Sequence, residues 1–321
     1  MPSDIHKKDK DLFTIQDLKE WKPPKTRHII WDGVLDVGHR FQIFGDEGSW
    51  KSGLALHMAY SIATGRRWLG FKTSPANVLY IQGEMSMVSM YSRVTKYCDG
   101  TKCIYLAKPG YVPDEEVRAM DIAYPSNVYM QVIEFLHLDE QSGIAALRNK
   151  LDEVIMHSPQ LPIVLIIDPL YKVFHHDLTV AREVSYFQEN IDILRHDYNT
   201  IKDGILRQLA VVFIHHSRKC GTDRDGNKVS QGSDESFGAK QLNWWSDTIM
   251  NTSLDSEDET KTTIEITFTK HGRDTEGFLP RLIKARWDKD TLHPRIIARI
   301  MPQYPEDELE LRGNSLLQQL E

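Results

Sequence analysis

The chain is short of cysteine, of long apolar runs and of positive charge, and each shortage removes a class of protein. Three cysteines, Cys98, Cys103 and Cys220, stand at irregular spacing in 321 residues. They are too few for a disulfide framework or a four-ligand zinc site, so a reducing compartment is expected. No stretch approaches the roughly 18 to 20 apolar residues of a membrane span, and Met1 to Lys10 holds no apolar secretory core. The expectation is a soluble, cytoplasmic protein with no membrane partner. The formal net charge of −7 gives no global attraction for nucleic acid. A polynucleotide would have to meet a local basic surface, or a channel built from several subunits. The length suits one large α/β domain with appendages, or two small domains, with a sizeable core.

The most informative stretch runs Gly45-Asp46-Glu47-Gly48-Ser49-Trp50-Lys51-Ser52-Gly53, between an apolar strand ending at Phe44 and an apolar-rich helix to Thr64. Strand end, glycine-containing loop and helix start with Lys-Ser at the turn is the layout of a P-loop. There, backbone N–H groups and the helix N-terminus hold phosphates, lysine reaches the β/γ-phosphates and serine holds Mg²⁺. The full pattern, G-x-x-x-x-G-K-[ST], has glycine where this chain has Trp50. That position often requires a positive φ, which in a bulky residue costs on the order of 1–3 kcal/mol unless its surroundings enforce it. A glycine-rich turn before an ordinary helix is the plainer alternative.

The rest of the chain bears on that choice. Residues 1–27 read as a charged start, a short helix over Leu12 to Trp21 and a stiff Lys22-Pro23-Pro24-Lys25 linker. A buried strand over Ala76 to Gln82 completes a βαβ unit and implies a parallel sheet. Glu84 follows it, at the sheet edge where ligands bind, placed to orient or deprotonate an attacking water; capping the next helix is its other reading. Loop signals at Asp99-Gly100-Thr101 and at Pro109-Gly110 leave 99–138 harder to assign, with Val128 to Leu138 either strand or helix. An amphipathic helix is expected after Gln141, with Ile144, Leu147, Leu151 and Ile155 on one stripe.

Ile163-Val164-Leu165-Ile166-Ile167-Asp168 is five aliphatic residues ending in an aspartate. This is the Walker B arrangement for Mg²⁺. The loop His175-His176-Asp177 lacks further ligands at metal spacing and reads as solvated. A third apolar strand, Leu209 to Ile214, ends in His215-His216, either of which can touch a γ-phosphate. Arg218, Lys219, Arg224 and Lys228 make the following loop locally basic. With Lys240, Phe237 and Trp244 they are candidates for phosphate-backbone contact with a nucleic acid strand, or are simply a solvated loop. Three later segments, 246–251, 262–269 and 282–287, alternate as strands that extend the sheet in antiparallel fashion. The second leads into Lys270 and Arg273, a basic pair able to act as an arginine finger on a neighbouring protomer or to form an ordinary turn.

In order and spacing these pieces resemble the RecA-like ATPases, and within them the RepA-type hexameric plasmid replicative helicases. The likeness spans about residues 28 to 290. It rests on Ile30-Trp31-Asp32-Gly33, the loop at 45–52, Ala63-Thr64-Gly65-Arg66-Arg67-Trp68-Leu69-Gly70, Val78-Leu79-Tyr80-Ile81 with Glu84, Ile166-Ile167-Asp168-Pro169-Leu170, and His215-His216-Ser217-Arg218-Lys219. The resemblance implies an α/β RecA-like core at 28–300, mostly parallel with antiparallel strands added at its C-terminal end, and an acidic tail at 301–321. It implies a homo-oligomer, a hexameric ring hydrolysing ATP with Mg²⁺ at its interfaces and pulling on single-stranded DNA. Lys51 would bind phosphate, Ser52 and Asp168 would serve the metal, Glu84 would be the base and His216 or His215 the γ-phosphate sensor. Arg273 with Lys270 would make the trans contact. The alternatives are a recombination-mediator ATPase that does not unwind duplexes and a nucleotide-gated scaffold with little hydrolysis, which Trp50 favours.

Overall fold

The computed structural model describes residues 14–20, 27–106, 124–133, 135–199, 201–202, 205–206, 208–216, 241–270 and 279–301. A nine-stranded sheet organises them. In chain order its strands are β3 (Arg40–Gly45), β4 (Asn77–Gln82), β5 (Val128–Val132), β6 (Ile163–Asp168), β9 (Leu209–His216), β10 (Thr248–Glu257), β11 (Lys261–Lys270), β12 (Leu282–Asp288) and β13 (Pro294–Ile300). In space the order is β13-β12-β11-β10-β3-β9-β6-β4-β5. The six strands from β10 to β5 pair in parallel, and β11, β12 and β13 add antiparallel beyond β10. The extension is thus antiparallel as expected, except that its first strand joins β3 in parallel. Two small hairpins, β1 (His28–Ile30) with β2 (Leu35–Asp36) and β7 (Ile201–Lys202) with β8 (Ile205–Leu206), stand apart from the sheet.

The two faces follow from strand alternation. Val78, Tyr80, Val164, Ile166, Val212 and Ile214 point into one core with α2 (Lys51–Thr64) and the start of α3 (Met87–Leu106). Leu79, Ile81, Leu165, Ile167, Val211 and Phe213 point into the other, against α4 (Gln141–His157) and α5 (Ala181–Tyr198). Continuous aliphatic strands therefore bury both faces, as parallel sheets do. The predicted stripe Ile144, Leu147, Leu151 and Ile155 is buried. A short α1 (Ile15–Glu20) lies within the expected N-terminal helix, and α6 (Gln241–Trp245) precedes β10.

Two local expectations change. Asp99-Gly100-Thr101 is not a loop but lies inside α3; burial of Met90, Tyr97, Cys98 and Thr101 outweighs glycine's poor helix propensity, about 1 kcal/mol. The loop at His175-His176 is held rather than merely solvated. Asp139 accepts both backbone N–H groups, at 2.9–3.1 Å, and His176 Nδ1 lies 2.7 Å from the same carboxylate.

Candidate active site

Every parallel strand of this sheet points its C-terminal end the same way, and the loops leaving β3, β4 and β6 meet there beside the end of β9. They enclose a cavity of about 320 Å³ lined by Lys51, Ser52, Glu84, Asp168 and His216 together with Glu47, Gly48, Trp50 and Gly53. Residues from four separate segments of chain thus converge on one volume. His215 does not join them: it is fully buried, while its neighbour, one step along β9 and therefore on the opposite face, lines the cavity.

Trp50 precedes α2 at φ 60, ψ 23, in the left-handed region, as glycine would at that place. Its indole is accommodated by what surrounds it. It packs on Trp287 with ring centroids 5.8 Å apart and lies over Gly53, where a β-carbon would stand only 2.7 Å from Trp50 Cε3. An aromatic pair of this kind contributes about 0.5–1.5 kcal/mol beyond its area, comparable to the backbone strain it offsets. Gly45 is equally constrained, since a β-carbon there would meet the Thr252 carbonyl at 2.1 Å. Ser49 Oγ, 2.9 Å from Thr252 Oγ1, ties the loop to β10.

Lys51 bends back on its own loop. Its ammonium donates to the carbonyls of Gly45 at 2.9 Å and Asp46 at 2.5 Å, and more weakly to Ser49 Oγ at 3.5 Å. Burial pushes its pKa down, opposed by the charges of Asp168, Asp46, Glu84 and Glu47. A buried cation whose hydrogen bonds go to neutral loop oxygens is poised for an anionic ligand. Asp168, also buried, has its pKa raised by desolvation, with hydroxyl hydrogen bonds from Tyr80 and Ser52 working the other way. Tyr80 donates to Asp168 Oδ2 at 2.5 Å and Gln82 Nε2 reaches the same oxygen at 3.3 Å.

These donors suit Mg²⁺ brought with a nucleotide. One carboxylate and one hydroxyl, both hard oxygen ligands, are what that ion uses alongside phosphate oxygens. No group of three or more His, Cys, Asp or Glu that could hold a metal occurs among the described residues, so the protein offers no free-standing metal cage there. Glu84 is exposed to the cavity. Tyr171, on the 3-10 turn Leu170–Val173 after β6, donates its hydroxyl proton to Glu84 Oε1, and His216 Nε2 stands 3.6 Å from that oxygen.

Several contributors carry no motif. Arg93 and Tyr97 line the cavity from α3, Leu56 from α2 and Leu292 from the β12–β13 turn. The helical spacing of Met90, Arg93, Val94 and Tyr97 is the one signal that could have found the first, because it sets a charge beside a buried stripe. Nothing local marks Tyr80, Tyr171 or Thr252. The Lys270 ammonium, at the end of β11, donates to the carbonyls of Asn243 and Trp244, each at 3.1 Å, and of Ser246. Arg273, and Arg218, Lys219, Arg224, Lys228 and Lys240, lie outside the described residues.

The fold and this cavity together define a RecA-like P-loop ATPase domain. The AAA domain family matches residues 8–222, and the chain belongs to that family. Among solved structures, the fold is similar to another protein's ATPase domain, at TM-score 0.54 and 14% identity, over 83% of this chain and 85% of that one. The flagellar accessory protein FlaH from Methanocaldococcus jannaschii matches at TM-score 0.41 and 11% identity, over 84% and 91%. No curated protein matches the chain. No described helix is long and apolar enough to cross a membrane.

Proposed function

We propose that the chain is a Mg²⁺-dependent ATP-hydrolysing motor that assembles into a ring and moves on single-stranded DNA, as a replicative helicase does. The observation that carries the reading is the meeting of Lys51, Ser52, Asp168, Glu84 and His216 around one cavity. Backbone N–H groups from Gly48 to Ser52, at the start of α2, hold the phosphates. Lys51 exchanges its loop carbonyls for phosphate oxygens. Ser52 and Asp168 hold the metal, which when bound draws charge from the terminal phosphates. Glu84 accepts a proton from the attacking water, and His216, beside the same carboxylate, senses the γ-phosphate.

In this reading residues 28–300 form the motor, 1–27 an arm and 301–321 a tail, with a hexamer as the working assembly. The trans contact falls to Arg273 with Lys270. Arg218, Lys219, Arg224, Lys228 and Lys240 supply the basic surface that the acidic chain otherwise lacks for a DNA strand. Phosphate release, measured with and without Mg²⁺ and single-stranded DNA, tests the proposal, together with separation of a forked duplex. Lys51→Ala and Glu84→Gln should abolish both activities. DNA-stimulated hydrolysis that leaves the fork intact would replace the helicase by a strand-binding mediator, and ATP binding with no phosphate release would leave only a scaffold.

A further inference from the structure

The carboxylate of Glu84 sits at the end of a three-torsion side chain on a loop, more than one third exposed. Left to itself such a group spreads over many rotamers, and fixing one costs side-chain entropy. Among the described residues one hydrogen bond restrains it, the Tyr171 hydroxyl on Oε1. His216 Nε2, at 3.6 Å, is beyond hydrogen-bond reach.

The turn that carries Tyr171, a residue 37% exposed, is itself locked in place. Gly83 donates its N–H to the Asp168 carbonyl at 2.9 Å, and a β-carbon on Gly83 would stand 2.5 Å from Lys172 Cβ. The tip of β4 and the turn after β6 therefore pack backbone against side-chain root, with no room for slippage. The Tyr171 ring leans on His216, centroids 5.6 Å apart, and Lys172 Nζ covers it at 5.4 Å. The Glu84 backbone N–H is fixed as well, donating to Gln82 Oε1 at 2.7 Å. Base, tyrosine and histidine are thus three side chains on three strand tips held as a unit.

We propose that Tyr171 is a positioning residue for hydrolysis: its hydroxyl occupies one carboxylate oxygen of Glu84 and so turns the other toward the water that attacks the γ-phosphate. This rests on the hydrolytic reading of the cavity above. Desolvation, and then the Glu84 hydrogen bond, raise the Tyr171 pKa above its ordinary value, so the phenol keeps the proton it donates.

The test compares Tyr171→Phe with the full-length wild type. Phenylalanine keeps the ring against His216 and removes only the donor. Loss of a hydrogen bond to a charged group predicts a fall in kcat of about ten- to a hundredfold, with KM and the ATP dissociation constant unchanged and the thermal melt retained. On a Glu84→Asp background, whose carboxylate is one methylene too short to keep the bond, the same substitution should change kcat by less than about threefold. A Tyr171→Phe enzyme as fast as wild type overturns the inference, as does an equal loss on both backgrounds. A wild type that releases no phosphate overturns the hydrolytic reading and this inference together. A wild type that hydrolyses ATP, is silenced by Glu84→Gln and is indifferent to Tyr171→Phe overturns this inference alone.

Discussion

Replacing Gly53 with alanine measures how the bulky residue in the phosphate loop is tolerated. A β-carbon at Gly53 would lie 2.7 Å from Trp50 Cε3 and 3.4 Å from Cζ3, against an optimal carbon separation of about 3.5–4.0 Å. The indole cannot swing freely aside, because its backbone is set at φ 60 and its ring packs on Trp287. Overpacking against a held ring costs about 1–3 kcal/mol. Against this stands the removal of a glycine from a helix, worth about 0.5–1 kcal/mol in an interior and less in the first turn. The net expectation for Gly53→Ala is a loss of about 1–2 kcal/mol. In a Trp50→Gly background the obstacle is gone, and the same change should be neutral or stabilise by up to about 0.5 kcal/mol. The two substitutions are therefore coupled by about 1–2.5 kcal/mol, within the range of about 0.5–3 kcal/mol found for residues in contact. Urea unfolding without nucleotide, followed by circular dichroism and compared at constant m, reads the difference directly. Equal midpoint shifts in the two backgrounds would refute the packing of Trp50 over Gly53.

Trp50→Gly by itself should leave ATP affinity within about threefold of wild type, since the backbone already has the left-handed form that glycine would take; a change beyond tenfold by calorimetry would show that the indole itself touches nucleotide. Gly45→Ala should abolish ATP binding in the same assay, because a contact of 2.1 Å with the Thr252 carbonyl forces backbone apart, and retained binding would contradict the close approach of β3 to β10. Tyr80→Phe strips a donor from the buried carboxylate of Asp168 and should cost about 1–3 kcal/mol of stability in urea; no change would mean that Gln82 and Ser52 satisfy it unaided. Burial, with a smaller contribution from His293, holds the His57 pKa down to about 3 from an ordinary value near 6.5. Between those values the unfolded chain binds a proton that the folded chain does not, so stability falls as pH drops through the window, by up to about 1.4 kcal/mol per pH unit. His57→Gln should flatten the urea midpoint between about pH 6 and 4, and an unchanged slope would place the acid sensitivity elsewhere.

Legibility varied with the range of the interactions involved. The aliphatic runs ending in Asp168 and in the two histidines were readable because a buried parallel strand is marked by its own residues, and the residue closing such a strand lands at the ligand edge whatever surrounds it. Helix α4 was readable from its own stripe. By contrast α3 carries Gly100 through its middle, and only burial against other elements explains its continuation. Strand β5 was ambiguous because its residues are only partly buried, which blurs the apolar contrast that distinguishes strand from helix.

The order and spacing of Gly45, Lys51, Ser52, Glu84, Asp168 and the pair His215-His216 were determined by the sequence alone, and with them the class of fold, since each lies within a few residues of the strand or helix that displays it. What only the tertiary structure decided were contacts across long separations: Trp287 against Trp50, Tyr171 on Glu84, Tyr80 under Asp168, the carbonyls of α6 around Lys270, and His216 rather than His215 in the cavity. Local pattern sets which way a side chain can point relative to its own element. Which neighbour it meets depends on how the strands are ordered in the sheet, and that order is a property of the packed chain as a whole.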